Sequence, residues 1–405
     1  MFYQLGGKKM SIAKKLTDDF IPQMFDLASY AFNFQNPEDS RARFECMAEH
    51  SWNYGDVADG TLTSQVMATP FTIDFHGQDY SMAGVGFVAS YPEYRGQGGI
   101  NRTMTYLLKD LNDQAIDLSY LAPFSYPFYR RYGFELLFER ILYKLPSSEW
   151  PRVGKTIGKM KRMSYEEIKN SISQIYQAMP IYQCGAVKRE DWWLDYKFNM
   201  KPGKKFAQYE NAEGIVEGYL VYRVDGAVCI IEEIGYLTPE ALRGIVGFIG
   251  SHSGVFQEFQ YESSYTGSNL NYLLPSARFS MSIRPDMMGR IVNIERFLKK
   301  YPFKKGHSGE FYLKITEDPF AQWNEGIYHL SISDEGKAKV EKINDEEKVN
   351  GPVIESTIQS ITQLLFGYKK ASELAFYGRI IAESSILNQF SDCLVDQQPI
   401  LEDYF

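Results

Sequence analysis

The sequence predicts an α/β (α+β) fold with mixed central sheets, arranged as three modules along 405 residues. The first module, residues 1–150, alternates strand-like and helix-like patterns and has one glycine-rich loop between a strand and a helix. The second module, 151–285, repeats this order of elements without the loop, which indicates a degenerate copy. From residue 286 to 405 the composition changes, and strands precede helices without a polar cluster typical of catalysis.

Turn residues and apolar periodicity define the elements of the first module. Asp59-Gly60 and His76-Gly77, for example, separate three strand-like runs between residues 54 and 87. The other elements expected here are strands at 10–15, 85–90, 118–122 and 134–145, and helices at 17–33, 37–51, 100–117 and 126–132.

The same signals define the rest of the chain. Residues 146–162, rich in proline, serine and basic residues, are expected to be a linker. In the second module we expect helices at 165–179 and 239–252, and strands at 206–210, 215–224 and 228–236. In the third we expect strands at 309–315, 326–332 and 337–342, and helices at 291–300, 354–366, 371–377 and 382–389.

The composition argues against several classes of function. A net charge of −8 disfavours general nucleic-acid binding, which needs a basic surface, and is compatible with a cationic partner. The four cysteines form no CxxC pair and the five histidines no HExxH motif, so no metal is expected. No apolar run is long enough to span a membrane and no secretory signal is evident. We therefore expect a cytoplasmic protein.

A glycine-rich loop follows the predicted strand at 85–90, and its residues are Arg95-Gly96-Gln97-Gly98-Gly99-Ile100. Glycines let the backbone turn tightly and present consecutive N–H groups, and a helix N-terminus adds partial positive charge. Arg95 adds a full charge for phosphate oxygens. The loop lacks the Lys-Ser/Thr of a P-loop and the GxGxxG spacing of a dinucleotide fold. A pyrophosphate cradle of another kind is therefore predicted, although a structural turn is an alternative for the loop alone.

Two spaced segments carry a family resemblance. The first, VASYPEYRGQGGINRTMTYLL, is similar to the coenzyme A motif of the GNAT acetyltransferases, and about thirty residues later FYRRYGF is similar to the short helix with the GNAT tyrosine. With a degenerate second copy and a C-terminal module, the chain resembles the Eis (enhanced intracellular survival) acetyltransferases. This resemblance implies tandem GNAT-like domains, a sterol-carrier-protein-like α+β domain, acetyl-CoA as co-substrate and assembly as a homo-oligomer, a hexamer.

The resemblance also implies roles for individual residues. Phe87 corresponds to an aromatic residue of the acceptor pocket, Tyr129 to the general acid, and the terminal carboxylate of Phe405 to the base. Ser90 stands where a valine is common, and Gly96 where a second basic residue is common. Contacts with coenzyme A fall on the backbone of Val88 and Ser90, on Arg95, and on the loop N–H groups of Gly96, Gly98, Gly99 and Ile100.

These roles define a mechanism. A terminal carboxylate, with a reference pKa of about 3.3–3.7, is a weak base in water, and burial among aromatic rings would raise this pKa. A tyrosine hydroxyl can protonate the leaving thiolate. The implied acceptors are primary amines of aminoglycoside-like polyamines or lysine side chains.

Two alternative functions remain open at this stage. One is another tandem-GNAT acyl or aminoacyl transferase, although such enzymes often keep a usable site in the second copy. The other is a non-enzymatic lipid- or protein-binding scaffold built on the C-terminal module. Retention of Arg95, Gly98 and Tyr129 argues against the scaffold, because a protein without catalysis has no need for a phosphate-binding loop.

Overall fold

A computed structural model of the protein describes residues 11–265, 273–274 and 279–405. Its first part contains strands β1 Ile12–Lys15, β2 Trp52–Ala58, β3 Thr61–Phe75, β4 Gln78–Ser90, β5 Leu118–Leu121, β6 Glu135–Leu136 and β7 Glu139–Pro146, and helices α1 Ile21–Ala31, α2 Pro37–Glu49, α3 Gly99–Asp113 and α4 Tyr126–Arg130.

The middle part contains strands β8 Lys159–Met163, β9 Cys184–Val187, β10 Lys205–Glu210, β11 Val216–Asp225, β12 Val228–Tyr236, β13 Glu258–Ser264 and β14 Ser280–Pro285, and helices α5 Tyr165–Ala178, α6 Asp191–Leu194 and α7 Pro239–Gly250. The last part contains strands β15 Met288–Ile291, β16 Gly309–Ile315, β17 Gly326–Ile332, β18 Ala338–Ile343, β19 Val353–Ser356 and β20 Ile380–Ile381, and helices α8 Ile294–Lys300, α9 Ile358–Leu365, α10 Ala371–Phe376 and α11 Ser384–Cys393.

Three mixed sheets organise the described residues, as the predicted fold class requires. The first sheet has the order β1-β2-β3-β4-β5-β15-β6, with β9 also paired to β3. The second has the order β14-β7-β13-β12-β11-β10-β8, and the third β18-β17-β16-β19-β20. In each sheet one neighbouring pair is parallel, namely β4–β5, β12–β13 and β16–β19.

The first two sheets exchange strands across the predicted domain boundaries. The prediction of one strand at 134–145 was wrong, because the chain kinks where Leu137 and Phe138 both donate to the carbonyl of Met287. Only β6 stays in the first sheet, and β7 pairs with β13 and β14 in the second. In return, β15 from beyond residue 285 lies between β5 and β6. The predicted ranges 1–150, 151–285 and 286–405 stay a proposal.

Other elements also differ from the prediction. The expected linker contains β8, a charged edge strand in which Lys161 pairs with Glu210 at 2.6 Å. The expected helix at 354–366 begins as β19, and the Thr357 side chain then accepts from Ser360 N to start α9. The described residues also contain β9, which was not predicted.

Residues 400–403 and Phe405 are buried between the first two domains. The side chains from Ile400 to Asp403 are all at most 8% exposed, and Ile400 N donates to the carbonyl of Cys184 at 3.0 Å. The C-terminus is therefore held by contacts far away in sequence. Across the residues that the structure describes, no helix combines the length and apolarity needed to cross a membrane.

Candidate active site

A β-bulge distorts β4 at Phe87, the residue predicted to line the acceptor pocket. The pairing of β3 with β4 shifts register between Gln65 and Met67, so that Phe87 and Val88 together oppose Val66. Phe87 has φ of 49°, a left-handed conformation that is strained for an aromatic residue. Its ring lies at 5.0 Å from the Phe44 ring and 5.8 Å from the Phe32 ring. These aromatic contacts hold the bulge in place.

The bulge opens a wedge in the first sheet. Strand β4 pairs in parallel with β5 only from Met82 to Val85. Beyond Val85, β4 pairs with β3 alone among the described strands, and this pairing continues to Ser90. Backbone groups around Val88 therefore face the wedge without a neighbouring strand and are free to meet a ligand.

The glycine loop lies at the open end of this wedge. Gly96 and Gly98 have φ of 75° and 81°, conformations that glycine adopts without cost. Gly98 is the N-cap of α3, whose buried face includes Leu107 and Leu111. Gly99 has no room for a side chain, since a Cβ there would lie 2.5 Å from the Ser64 hydroxyl. The loop therefore presents backbone rather than side chains.

A cavity of about 870 Å³ joins these features. This volume lies in the range of roughly 300–1,000 Å³ typical of small-molecule sites. Phe124, Phe128 and Arg131 line its other wall, and none of them was predicted to belong to the site. It reaches the predicted coenzyme A residues Val88, Ser90, Arg95, Gly96, Gly98, Gly99 and Ile100.

The donor set of this cavity fits acetyl-CoA. Backbone N–H groups at the start of the 15-residue helix α3 and the exposed Arg95 suit a diphosphate. The neighbouring Arg102 is engaged elsewhere, because it forms an ion pair with Asp56 at 2.8 Å and donates to the carbonyl of Gln97. That contact braces the loop. The apolar wall that contains Phe124 and Phe128 suits the remaining parts of acetyl-CoA.

Tyr129 lies on α4 behind the cavity wall, against the lining residues Phe124 and Phe128. The ring is 2% exposed and packs on Phe124 and Phe128 with centroids 5.3 and 5.0 Å away. Its hydroxyl has no hydrogen-bond partner among the described residues. Burial, aided by the nearby Tyr132 and Tyr404 hydroxyls, raises the pKa of Tyr129 well above its usual range. The hydroxyl therefore keeps its proton at neutral pH and can donate it.

Phe405 is seated against the opposite face of β4. Its ring is packed over Gly84 and lies 5.3 Å from the Phe71 ring. The carboxyl carbon of Phe405 is 3.2 Å from the point where a Cβ on Gly86 would lie. The terminal carboxylate is thus next to the bulge at Phe87. Gly84 and Gly86 were not recognised from the sequence, because nothing local indicates that they contact the C-terminal residue Phe405.

Two acidic residues of the tail do not behave as free surface charges. Asp403 is fully buried and accepts hydrogen bonds from Arg189 and Trp193. Glu402 accepts from Ser264 N at 2.9 Å. The tail is therefore fixed by specific contacts rather than solvated.

Three family models match most of the chain between them. Acetyltransferase (GNAT) domain models match residues 13–137 and 185–291, and a sterol carrier protein domain model matches residues 294–402. Both GNAT matches agree with the predicted tandem arrangement, and the third with the predicted C-terminal module. No protein of curated function matches the chain.

Solved structures agree with these matches. A conserved protein of unknown function from Enterococcus faecalis, described as a probable N-acyltransferase, is 45% identical, with 98% of this chain and 100% of that chain covered and a TM-score of 0.93. A GCN5-related N-acetyltransferase from Anabaena variabilis is 19% identical, with coverages of 98% and 100% and a TM-score of 0.85. Eis1 from Mycobacterium abscessus is 16% identical, with coverages of 97% and 100% and a TM-score of 0.77. The last two show a common fold.

Proposed function

The chain belongs to the GNAT family of N-acetyltransferases, and from this premise we propose that it transfers the acetyl group of acetyl-CoA directly to a primary amine. The acceptors we propose are aminoglycoside-like polyamines or lysine side chains, as in the Eis-type enzymes that the chain resembles. The resemblance extends the proposal to a cytoplasmic homo-oligomer, with a hexamer as the expected state.

One observation supports this proposal above the others. The carboxyl group of Phe405 lies against Gly86, beside the bulge, while the protonated Tyr129 lies behind the cavity wall. A proton acceptor and a proton donor thus flank the strand that would hold the thioester. General acid–base catalysis of aminolysis needs both groups at one reacting centre.

The residues then have the following roles. Bound acetyl-CoA supplies an activated acyl thioester. The Phe405 carboxylate takes the proton that the acceptor amine must lose before it attacks. Backbone N–H groups near Val88 polarise the acyl carbonyl, and the Tyr129 hydroxyl donates its proton to the leaving sulfur. No covalent enzyme intermediate is required.

Thiol release from acetyl-CoA tests the proposal. The wild type, Tyr129→Phe and a chain lacking Phe405 are assayed with polyamines, aminoglycosides and lysine peptides. We expect kcat to fall by about 10²–10⁴-fold in both variants, the usual contribution of general acid–base catalysis. Tyr377→Phe, at a tyrosine that is 73% exposed on the third domain, is the matched control and should keep the wild-type rate.

The assay also separates the alternatives. No thiol release with any amine, or wild-type rates in both variants, would contradict the proposal. Turnover with acyl or aminoacyl donors other than acetyl-CoA would favour another tandem-GNAT transferase. The alternative of a non-enzymatic scaffold is not supported, because the chain belongs to the GNAT family of N-acetyltransferases.

A further inference from the structure

The second domain has a corner that corresponds to the acetyl-CoA corner of the first. Strand β12 pairs antiparallel with β11 and parallel with β13, as β4 does with β3 and β5. Its parallel pairing ends at Ile231, and a register shift leaves Glu232 as an extra residue immediately beyond. Helix α7 follows, as α3 follows β4. The bulge and wedge of the first domain therefore recur here.

This second corner is closed. The cavity between β12, β13 and α7 measures about 120 Å³, far below the 870 Å³ of the first domain and below the roughly 300 Å³ of small ligand sites. Ile400 and Glu402 of the tail line it, and Glu402 takes the hydrogen bond of Ser264 N on the diverging strand. No glycine loop precedes α7, because Thr238 caps it directly. The corner has no room for a second acetyl-CoA.

A buried ion pair lies where the first domain would hold the acyl group. Glu233, the residue after the bulge, receives two hydrogen bonds from the Arg189 guanidinium at 2.7 and 2.8 Å. The Tyr219 hydroxyl donates to the same carboxylate at 2.7 Å. The Arg189 and Glu233 side chains are 1% and 2% exposed. Such a bidentate, fully desolvated pair has one well-defined geometry.

The same arginine holds the tail. Its Nε donates to both oxygens of Asp403, at 3.0 and 3.2 Å. Trp193 Nε1 donates to Asp403 at 2.8 Å, and the Tyr176 hydroxyl donates at 3.3 Å. Arg189 thus joins the bulge of the second domain to the residue two positions before the C-terminus.

Lys197 completes the charge balance. It lies on the π-helical turn Asp195–Asn199 and pairs with Glu233 at 2.9 Å and with Asp403 at 3.3 Å. Its Nζ also donates to the main-chain carbonyl of Glu402 at 2.7 Å. Two cations therefore face two carboxylates. Although burial alone would raise the pKa values of Glu233 and Asp403, the charges of Arg189 and Lys197 lower both.

We propose that the disused acyl-CoA corner of the second domain anchors the C-terminal tail, with Arg189, Glu233 and Asp403 as positioning residues for the Phe405 carboxylate. This inference rests on the proposed function, in which that carboxylate is the base. The anchor lies two residues from Phe405, so its loss frees the terminus without removing any group that contacts substrate. It gives the second domain a role in catalysis that needs no cofactor of its own.

The first test measures anchoring without activity. A carboxypeptidase that removes aromatic C-terminal residues is applied to wild type, Asp403→Asn and Glu233→Gln, and release of Phe405 is followed by mass spectrometry. Each near-isosteric change leaves Arg189 buried with one fewer counter-charge, so local opening of the tail becomes easier and release should be at least about tenfold faster. Glu210→Gln is the matched control, because its carboxylate is also largely buried in the second sheet but pairs with Lys161. It should match wild type.

The second test measures catalysis. We expect Asp403→Asn and Glu233→Gln to lower kcat by about tenfold to a hundredfold, the effect of misplacing a reacting group by about 1 Å, with the KM for acetyl-CoA unchanged. In a chain lacking Phe405, adding Asp403→Asn should lower kcat no further, because the anchor then has nothing to position. Additive losses would mean a general structural role and overturn the proposal.

The two tests fail separately. If loss of Phe405 leaves kcat unchanged, the base assignment fails, while carboxypeptidase release still tests the anchor. If Phe405 is released at the wild-type rate from both variants, the proposal that these residues anchor the tail is overturned. Should either variant not fold, Lys197→Met serves instead, since this side chain is 18% exposed and its removal is milder. It should accelerate release by the same mechanism, and a wild-type rate would count against the proposal.

Discussion

Two glycines of β4 show how a single missing side chain shapes the site. A Cβ on Gly84 would lie 2.6 Å from the Phe405 ring, and one on Gly86 would lie 3.2 Å from its carboxyl carbon. Neither glycine has a positive φ, so each is needed for the space that a missing side chain leaves and not for backbone freedom. The C-terminal residue can approach the bulge only because both positions lack side chains.

Gly84→Ala should therefore displace Phe405 while leaving the cavity proposed for acetyl-CoA intact. We expect kcat to fall by at least about tenfold with little change in the KM for acetyl-CoA, because the proposed base is displaced and the proposed phosphate-binding loop is not. Steady-state thiol release measures both constants. Gly154→Ala is the matched control, since a Cβ there meets nothing within 4 Å. Equal kcat values in Gly84→Ala and Gly154→Ala would show that the space at Gly84 is not needed to position Phe405.

Some site residues could be predicted from the sequence, whereas their conformations and long-range contacts could not. Tyr129 and Phe405 were reached through family resemblance, and the loop from Arg95 to Ile100 through its glycines. The left-handed φ of Phe87 could not be anticipated, because phenylalanine gives no local signal for it. Nor could the contacts of Asp403, whose partners lie more than 200 positions earlier.

At the scale of elements, local signals predicted what local forces determine. The helix expected at 100–117 is α3, Gly99–Asp113, because its amphipathic pattern and the glycine before it act within a few residues. The division of 134–145 between two sheets depends on which distant strand accepts β6 and β7, and the alternating pattern is the same in either sheet. Elements with a strong local signal were therefore predictable, whereas sheet membership and short strands such as β9 were not.

The glycine loop before α3 gives a prediction for an element. Gly98→Ala forces a side chain into a left-handed position, at a cost of about 1–2 kcal/mol, and places a Cβ 3.1 Å from Arg102 Nη1. The loop should relax away from its cradle geometry, raising the KM for acetyl-CoA by about tenfold, the equivalent of 1.4 kcal/mol.

A matched substitution separates loop geometry from stability. Gly203, in the second domain, has φ of 90° and open space around it, so Gly203→Ala carries a similar backbone cost far from the cavity. We expect it to lower stability in urea unfolding without raising the KM for acetyl-CoA. The same KM in both variants would mean that Gly98 serves the fold alone.

At the scale of the whole molecule, strand exchange joins the domains into one unit. Strand β15 connects the second sheet to the third domain while lying within the first sheet. Its Arg290 is fully buried and pairs with Asp318 of the third domain at 2.6 Å. It also donates to the carbonyl of Tyr132, just beyond the helix that carries Tyr129. The third domain therefore supports the segment after the Tyr129 helix through Arg290.

Arg290→Met tests this link. Removing one partner of a buried ion pair leaves the Asp318 carboxylate uncompensated, which costs about 3–5 kcal/mol of unfolding free energy. Replacing both partners, as Arg290→Met with Asp318→Leu, should cost less, because no charge stays buried alone. Trp323, whose Nε1 donates to the carbonyl of Val292 at 2.8 Å, lies beside the link and contributes to the fluorescence signal during urea unfolding.

The expected order of stability follows from desolvation. Arg290→Met should be the least stable and the double variant intermediate, while wild type should be the most stable because Arg290 also donates to the carbonyls of Tyr132 and Ile291. Lys109→Met, which removes an exposed pair with Asp113, should not change the unfolding midpoint measurably. If Arg290→Met unfolded at the wild-type urea concentration, the third domain would not brace the first through this residue. If instead it is destabilised and kcat falls with it, the sterol-carrier-type domain acts on catalysis through the position of α4.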